Sequence, residues 1–224
     1  MRGYYDKTLS AQRLKLCYEI APPRVQQYLE AEIQHVLQHI RTGDRVLELG
    51  CGYGRILMRL AQKAGLVIGI DTSIESLSFG QQMFKSLSNC SLLNMDAMNL
   101  GFRKQTFDCV VCIQNGISAF HVDKRKLIRE SVRVTKSGGI VLYSSYAEKF
   151  WDSRLEWFER QSKAGFLGEI DIRKTGNGVV VCKDGFIATT VTPSQFRSLV
   201  TGLSADVTIV EVDESSLFCE VTPH

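Results

Sequence analysis

Four residues at alternate positions carry the first chemical signal: Glu48, Gly50, Gly52 and Gly54, in the run Val46-Leu47-Glu48-Leu49-Gly50-Cys51-Gly52-Tyr53-Gly54-Arg55. Glycines at a strand-to-helix turn let the backbone bend sharply and approach a ligand with no Cβ between them, while the helix start presents free amides. Such a loop holds a nucleotide-like ligand at the carboxyl edge of a sheet. Two ligand types compete for it. A dinucleotide fingerprint, G-x-G-x-x-G, needs a small residue at position 55 so that the helix packs close to its sheet, and Arg55 stands there. The pattern is instead E-x-G-x-G-x-G.

Other reactive groups follow short apolar runs. Asp71 ends one run, Asp96-Ala97-Met98 follows a second, and Gln114-Asn115-Gly116 follows a third. A carboxylate at such a position is acceptor-only and serves two donors at once. Asn115 is the candidate for positioning a second reactant, and His121, the histidine nearest that edge, is the candidate base. His35 and His39 are four apart and could share a metal, but no third ligand follows them in the chain, so no metal is expected. Cys109 and Cys112 form a C-x-x-C inside an apolar strand, which sends their thiols to opposite faces and makes them core residues.

These groups need a scaffold that gathers several strand ends. The apolar runs Arg45 to Leu49, Val67 to Asp71, Ser91 to Asp96, Phe107 to Gln114 and Gly139 to Tyr146 alternate with amphipathic segments, the pattern of a parallel sheet covered by helices on both faces. Ile56, Leu57, Leu60, Ala61 and Ala64 recur at helical spacing after the glycine loop. Thr72 and Glu75 form a T-x-x-E capping box that would start the next helix. A basic helix is predicted from about Asp123 to Thr135, after which Ser137-Gly138-Gly139 turns the chain into the fifth strand.

The rhythm changes beyond Tyr146. Lys149 to Lys163 reads as a helix rich in aromatics (Phe150, Trp151, Trp157, Phe158), followed by glycine-punctuated strands, so that an insertion is expected at about 147–191. Thr192-Pro193-Ser194-Gln195 opens a helix to about Leu203, and Asp206 to Val212 with Leu217 to Val221 forms a closing hairpin. Residues 1–40 are helical in pattern, broken at Pro22-Pro23, and are expected to form a cap; residues 41–224 form the main domain. Tyr4, Tyr5 and Tyr18 on that cap are candidates for contact with the second reactant.

The glycine loop resembles the first motif of the class I S-adenosylmethionine-dependent methyltransferases. The likeness continues through Gly69-Ile70-Asp71, Asp96-Ala97 and Phe107-Asp108, in order and at the expected strand ends. It implies an α/β, Rossmann-like, seven-stranded mixed sheet with helices on both faces and an antiparallel final strand. It further implies S-adenosylmethionine as cofactor, with Gly50, Cys51, Gly52 and Gly54 around its methionine part, Glu48 near the amino group and Gln114 beside the methionine end. Asp71, with Thr72 next to it, would take the ribose hydroxyls; Asp96 would take the adenine amino group, with Ala97 and Met98 near the ring. The activity implied is transfer of a methyl group to N, O, S or C of an acceptor, leaving S-adenosylhomocysteine.

The same resemblance disfavours nucleic-acid bases with exocyclic amino groups as acceptors, since methyltransferases that act on them usually carry a D/N-P-P-aromatic motif where this chain reads Gln114-Asn115-Gly116-Ile117. The net charge of +3 falls short of a duplex-binding surface. The basic run Lys124, Arg125, Lys126, Arg129 and Arg133 keeps RNA open, but such a run reads first as a solvated face. A small-molecule acceptor is therefore expected. The alternatives are an RNA or protein methyltransferase, or a non-catalytic cofactor-binding partner protein. Seven cysteines without framework spacing fit a reducing cytoplasm, and no window approaches the roughly 18 apolar residues of a membrane span.

Overall fold

The computed structural model describes Tyr4, residues 9–84 and residues 87–224; Tyr5 lies outside the described residues. Among the described residues, the helices α1 (Ala11–Glu19) and α2 (Pro23–His39) precede the sheet. Pro23 stands at the first position of α2, where its missing N–H leaves no helix bond unmade. The apolar stripe Val25, Tyr28, Leu29, Ile33 and Val36 buries one face of that helix and includes Glu32.

The strands β1 (Arg45–Leu49), β2 (Leu66–Asp71), β3 (Cys90–Asn94), β4 (Phe107–Cys112) and β5 (Thr135–Tyr146) are joined by the final pair β8 (Ala205–Val212) and β9 (Ser216–Pro223) in the order β3-β2-β1-β4-β5-β9-β8. The first five are parallel, and β9 runs antiparallel between β5 and β8. This is the expected seven-stranded mixed sheet. Chain order reverses between β1 and β4, which opens a crevice at their carboxyl ends.

Alternate residues feed two cores. Leu47, Ile70, Val110, Cys112 and Tyr143 pack with the short α5 (Gly116–Ala119), α6 (Lys124–Val134) and α8 (Pro193–Val200), while Val46, Val67, Cys109, Val111 and Leu142 pack with α2, α3 (Leu57–Ala61) and α4 (Ile74–Met83). Cys109 and Cys112 thus lie on opposite faces, and all seven cysteines are free thiols.

Local details depart from expectation in three places. Ser73, not Thr72, caps α4, because its side chain accepts from the Ser76 amide while Glu75 turns away to accept from the Ser10 hydroxyl at 2.6 Å. The helix after the glycine loop is a short α3 flanked by turns. β5 begins already at Thr135, and residues 136–139 bulge between its pairings to Phe107 and Cys109, with Gly138 at φ +72°. The box at Thr192 forms as expected, with Pro193 in the first turn of α8.

Between β5 and α8 the inserted segment comprises a short 3-10 turn (Glu148–Phe150), α7 (Trp151–Lys163) and a small hairpin of β6 (Val180–Val181) and β7 (Ile187–Ala188). Buried Arg154 of α7 ties that hairpin down, donating to the carbonyls of Gly178 and Ala188 at 2.9 and 3.1 Å. Leu9 and Cys17 share a core with Phe158, Val180 and Phe186, and Val25 and Tyr28 share another with Tyr146, Phe150 and Trp157. The N-terminal helices and the insertion therefore pack as one body over the crevice.

Candidate active site

The crevice is a cavity of about 560 Å³. One side is built by the ends of β1, β2 and β4 and the turn after β3: Glu48, Gly50, Cys51, Gly52, Asp71, Thr72, Asp96, Ala97, Met98 and Gln114 all line it. The other side comes from the packed helices and the insertion, through Leu14, Tyr18, Trp157, Phe158, Gln161 and Phe186.

Asp71 organises the glycine loop. Its carboxylate accepts from the Gly52 amide at 2.7 Å and from the Ser73 amide at 2.8 Å, so the end of β2 holds both the loop and the start of α4. Gly50, Gly52 and Gly54 all adopt positive φ, a backbone region that side chains rarely allow. Asp96 accepts from the Met98 amide at 2.8 Å, which folds the turn after β3 and buries Ala97 and Met98 against the core.

Three side chains of the cavity wall carry buried polar atoms without a hydrogen-bond partner among the described residues: Oε2 of Glu48, Nε and Nη2 of Arg55, and Nε2 of Gln114. A buried polar group left unmatched is costly, and such groups mark places where a ligand belongs. Burial pushes the Glu48 carboxyl up to about 8, although nearby Arg55 opposes the rise. The Arg55 guanidinium lies 4.5 Å from the centroid of the Tyr18 ring, and the Tyr18 hydroxyl donates to Gln114 Oε1 at 3.1 Å.

Gln114 and Asn115 both take left-handed backbone conformations, φ 56° and 60°, which cost non-glycine residues on the order of 1–3 kcal/mol each. Glu32 of α2 stabilises the first. Its fully buried carboxylate accepts from the Gln114 amide at 2.8 Å and from the Ser216 hydroxyl of β9. Burial raises this carboxyl to about 7, against the lowering effect of those two donors.

The predicted residues on the second-reactant side are placed differently. Asn115 does not line the cavity: its side chain donates to the Thr189 carbonyl at 2.8 Å and accepts from the Ser145 hydroxyl at 2.9 Å, joining the turn after β4 to the insertion. His121 is half-buried beside the lining residues Phe120 and Val122 without lining the cavity itself, and burial lowers its pKa. Tyr4 donates to Asp184 at 2.7 Å and packs on the lining residue Phe186 at 4.9 Å, without lining the cavity itself.

Arg55, whose size argues against a dinucleotide, is itself a cavity residue, and the aromatics of α7 could be read from sequence either as core or as pocket wall. Trp157 and Phe158 are both core and cavity wall. Glu32 was missed; the signal available was an acid on the apolar stripe of α2. The basic run on α6 is largely engaged within the chain: Arg133 pairs with Glu130 and donates to the Leu100 and Phe102 carbonyls, Lys126 donates to Asn99, and Arg125 donates to Ser198.

Residues 46–139 match the family model described as a methyltransferase domain. A Bacillus subtilis protein named as a methyltransferase, YqeM, is 39% identical over 117 residues, covering 49% of this chain and 47% of its own. The demethylmenaquinone methyltransferase of Staphylococcus haemolyticus is 31% identical over 115 residues, covering 49% and 47%. The chain thus spans about half the length of the curated relatives it matches. Among solved structures, the N-methyltransferase NodS from Bradyrhizobium japonicum, in complex with S-adenosyl-L-homocysteine, superposes with a TM-score of 0.59 at 16% identity, covering 90% of this chain and 88% of its own. No described helix is long and apolar enough to cross a membrane.

Proposed function

We propose that the chain, whose residues 46–139 match the methyltransferase-domain model, is a class I S-adenosylmethionine-dependent methyltransferase and methylates a small acceptor with a flat, apolar body. The observation that carries this reading is the division of the cavity. One wall holds the glycine loop with unmatched polar atoms of Glu48, Arg55 and Gln114, and the facing wall is aromatic.

The unmatched groups fit the cofactor. An orphaned carboxylate oxygen suits an ammonium, and orphaned guanidinium and amide N–H groups suit a carboxylate, the two charges of an amino-acid moiety. In this reading Glu48 takes the amino group, with Arg55 and Gln114 as donors to the carboxylate. The glycine loop admits the chain of the ligand, Asp71 uses its remaining lone pairs for ribose hydroxyls, and Asp96 with Ala97 and Met98 receives the base.

Bound S-adenosylmethionine supplies a methyl group on a sulfonium, whose departing thioether needs no proton. What the protein must add is alignment and a dry cavity, and correct placement alone removes several kcal/mol of barrier, roughly 7–11 in the best cases. Tyr18, Trp157, Phe158 and Phe186 provide flat apolar surfaces that orient an acceptor and exclude water. Neither Asn115 nor His121 reaches the cavity, so the reading assigns them no contact with the acceptor and favours one that is already nucleophilic.

The test is calorimetric titration of the protein with S-adenosylmethionine, S-adenosylhomocysteine and NAD, followed by transfer of labelled methyl to small amines, phenols and acids, with RNA and protein in parallel. Binding of both adenosyl ligands without NAD, and label in a small aromatic acceptor, is expected. No adenosyl binding overturns the cofactor reading, and label confined to RNA or protein overturns the acceptor class.

A further inference from the structure

His35 and His39 occupy successive turns of α2 and present their rings on one face, with centroids 5.0 Å apart. The third group absent from the local sequence comes from β9. Glu220 places Oε1 2.8 Å from His35 Nε2 and 3.5 Å from His39 Nε2. This follows from topology: β9 lies between β5 and β8 and alternates its faces, so that Cys219 and Val221 enter one core while Phe218 and Glu220 meet α2.

We propose that His35, His39 and Glu220 form a binding site for a transition-metal dication, zinc foremost, which fastens α2 to β9. Four observations carry the assignment. The ligand atoms of all three residues lie within 4.8 Å of one another. A tetrahedral ion with bonds of about 2.0–2.2 Å needs ligand atoms about 3.3–3.6 Å apart; His39 Nε2 stands at that spacing from Glu220 Oε1, and His35 Nε2, hydrogen-bonded to the same oxygen at 2.8 Å, reaches it by a small opening. The Phe218 ring packs 4.3 Å from His35, which limits the imidazole's rotation. The side chains are 12%, 27% and 16% exposed, enough for an ion to enter from the His39 side and keep a water as fourth ligand.

The donor set selects the ion. Two imidazoles and one carboxylate suit zinc, cobalt, nickel or copper, whereas magnesium and calcium require more oxygen ligands than the three residues offer. One turn before His35 on the same helix, Glu32 holds the Gln114 amide. The ion would therefore steady the helix that supports the cavity without touching the cavity: none of the three ligands lines it.

Tag-free full-length protein, stripped with chelator and desalted, is dialysed against zinc(II) and titrated with cobalt(II). Expected are one ion per chain, a higher melting temperature with zinc, and cobalt d–d absorption without thiolate charge-transfer bands. Glu220→Gln and His39→Ala should each bind at least about tenfold more weakly, since even partners one shell removed from a metal cost that much, while S-adenosylmethionine affinity stays as in the wild type. Failure of the parent protein to bind either ion overturns the site, as do thiolate bands or unchanged metal affinity in both variants. The metal readouts do not depend on the methyltransferase reading.

Discussion

The indole N–H of Trp157 donates to the Cys17 carbonyl at 2.8 Å, joining two helices that lie 140 residues apart in the chain. Cys17 is in α1 and Trp157 in α7, and both line the cavity. The aromatic wall is therefore a joint product of the N-terminal helices and the insertion, and it should answer to mutation as one unit.

Trp157→Phe keeps a ring and removes the donor, leaving a buried carbonyl unmatched. Loss of about 1–3 kcal/mol of stability is expected, with the acceptor KM raised and S-adenosylmethionine affinity unchanged. Denaturant melts and steady-state kinetics check this. An unchanged acceptor KM would remove Trp157 from the acceptor wall.

Asp71 has two tasks, holding the Gly52 and Ser73 amides and, in the proposed function, receiving ribose. Asp71→Asn keeps one oxygen acceptor and should bind S-adenosylmethionine about tenfold or more weakly, the loss of one hydrogen bond to a charged group being roughly 1.5–3 kcal/mol. Asp71→Ala should bind as poorly and also melt lower, because both amides lose their acceptor. Full affinity in the alanine variant would sink the ribose role.

Glu48, raised to about 8 by burial, is mainly protonated at neutral pH in the free protein. An ammonium placed beside it favours the carboxylate, so cofactor binding near pH 7 should release a proton from this residue. Calorimetry in buffers of different ionisation enthalpy measures the release, and Glu48→Gln should lack that share of it. Identical buffer dependence in both proteins would contradict the assignment of Glu48 to the amino group.

Glu32 makes stability depend on pH in the direction opposite to an ordinary ion-paired acid. Its carboxyl rises from 4.5 to about 7 on folding, so between those values the folded chain holds more protons than the unfolded one, and stability falls as pH increases. The contribution is fully present below about 4.5 and lost above about 7. Over that window the change is on the order of a few kcal/mol. Chemical denaturation from pH 5 to pH 8 should show the decline, to which Glu48, raised to about 8, adds in the same direction, and Glu32→Gln should make it shallower; an equally steep profile in the variant would refute the attribution.

The parts that were legible in the sequence are those set by neighbours in the chain. The glycine loop, Asp71 at the end of β2, the helices broken at Pro22-Pro23 and the box at Thr192 all follow from spacing and local backbone preference. The cap of α4 slipped by one residue because Thr72 and Ser73 are both competent, and the choice was made by Ser10, which draws Glu75 away. The partners of Asn115 were hidden for a similar reason. Its carboxamide answers to Thr189 and Ser145, and the path of an insertion is not written in periodicity. Glu220 meets His35 across 185 residues, a distance over which local pattern carries no information.

The position of β9 bears on how the chain is made. Glu32 leaves the ribosome 184 residues before Ser216, its partner on β9. Until β9 arrives, the outer edge of β5 is unpaired and the Glu32 carboxylate, which holds the Gln114 amide, lacks its Ser216 donor. An open strand edge invites pairing with another chain. Loss of the strand by truncation should therefore leave a chain with an open sheet edge, prone to aggregate, rather than a slightly shorter version of the same fold.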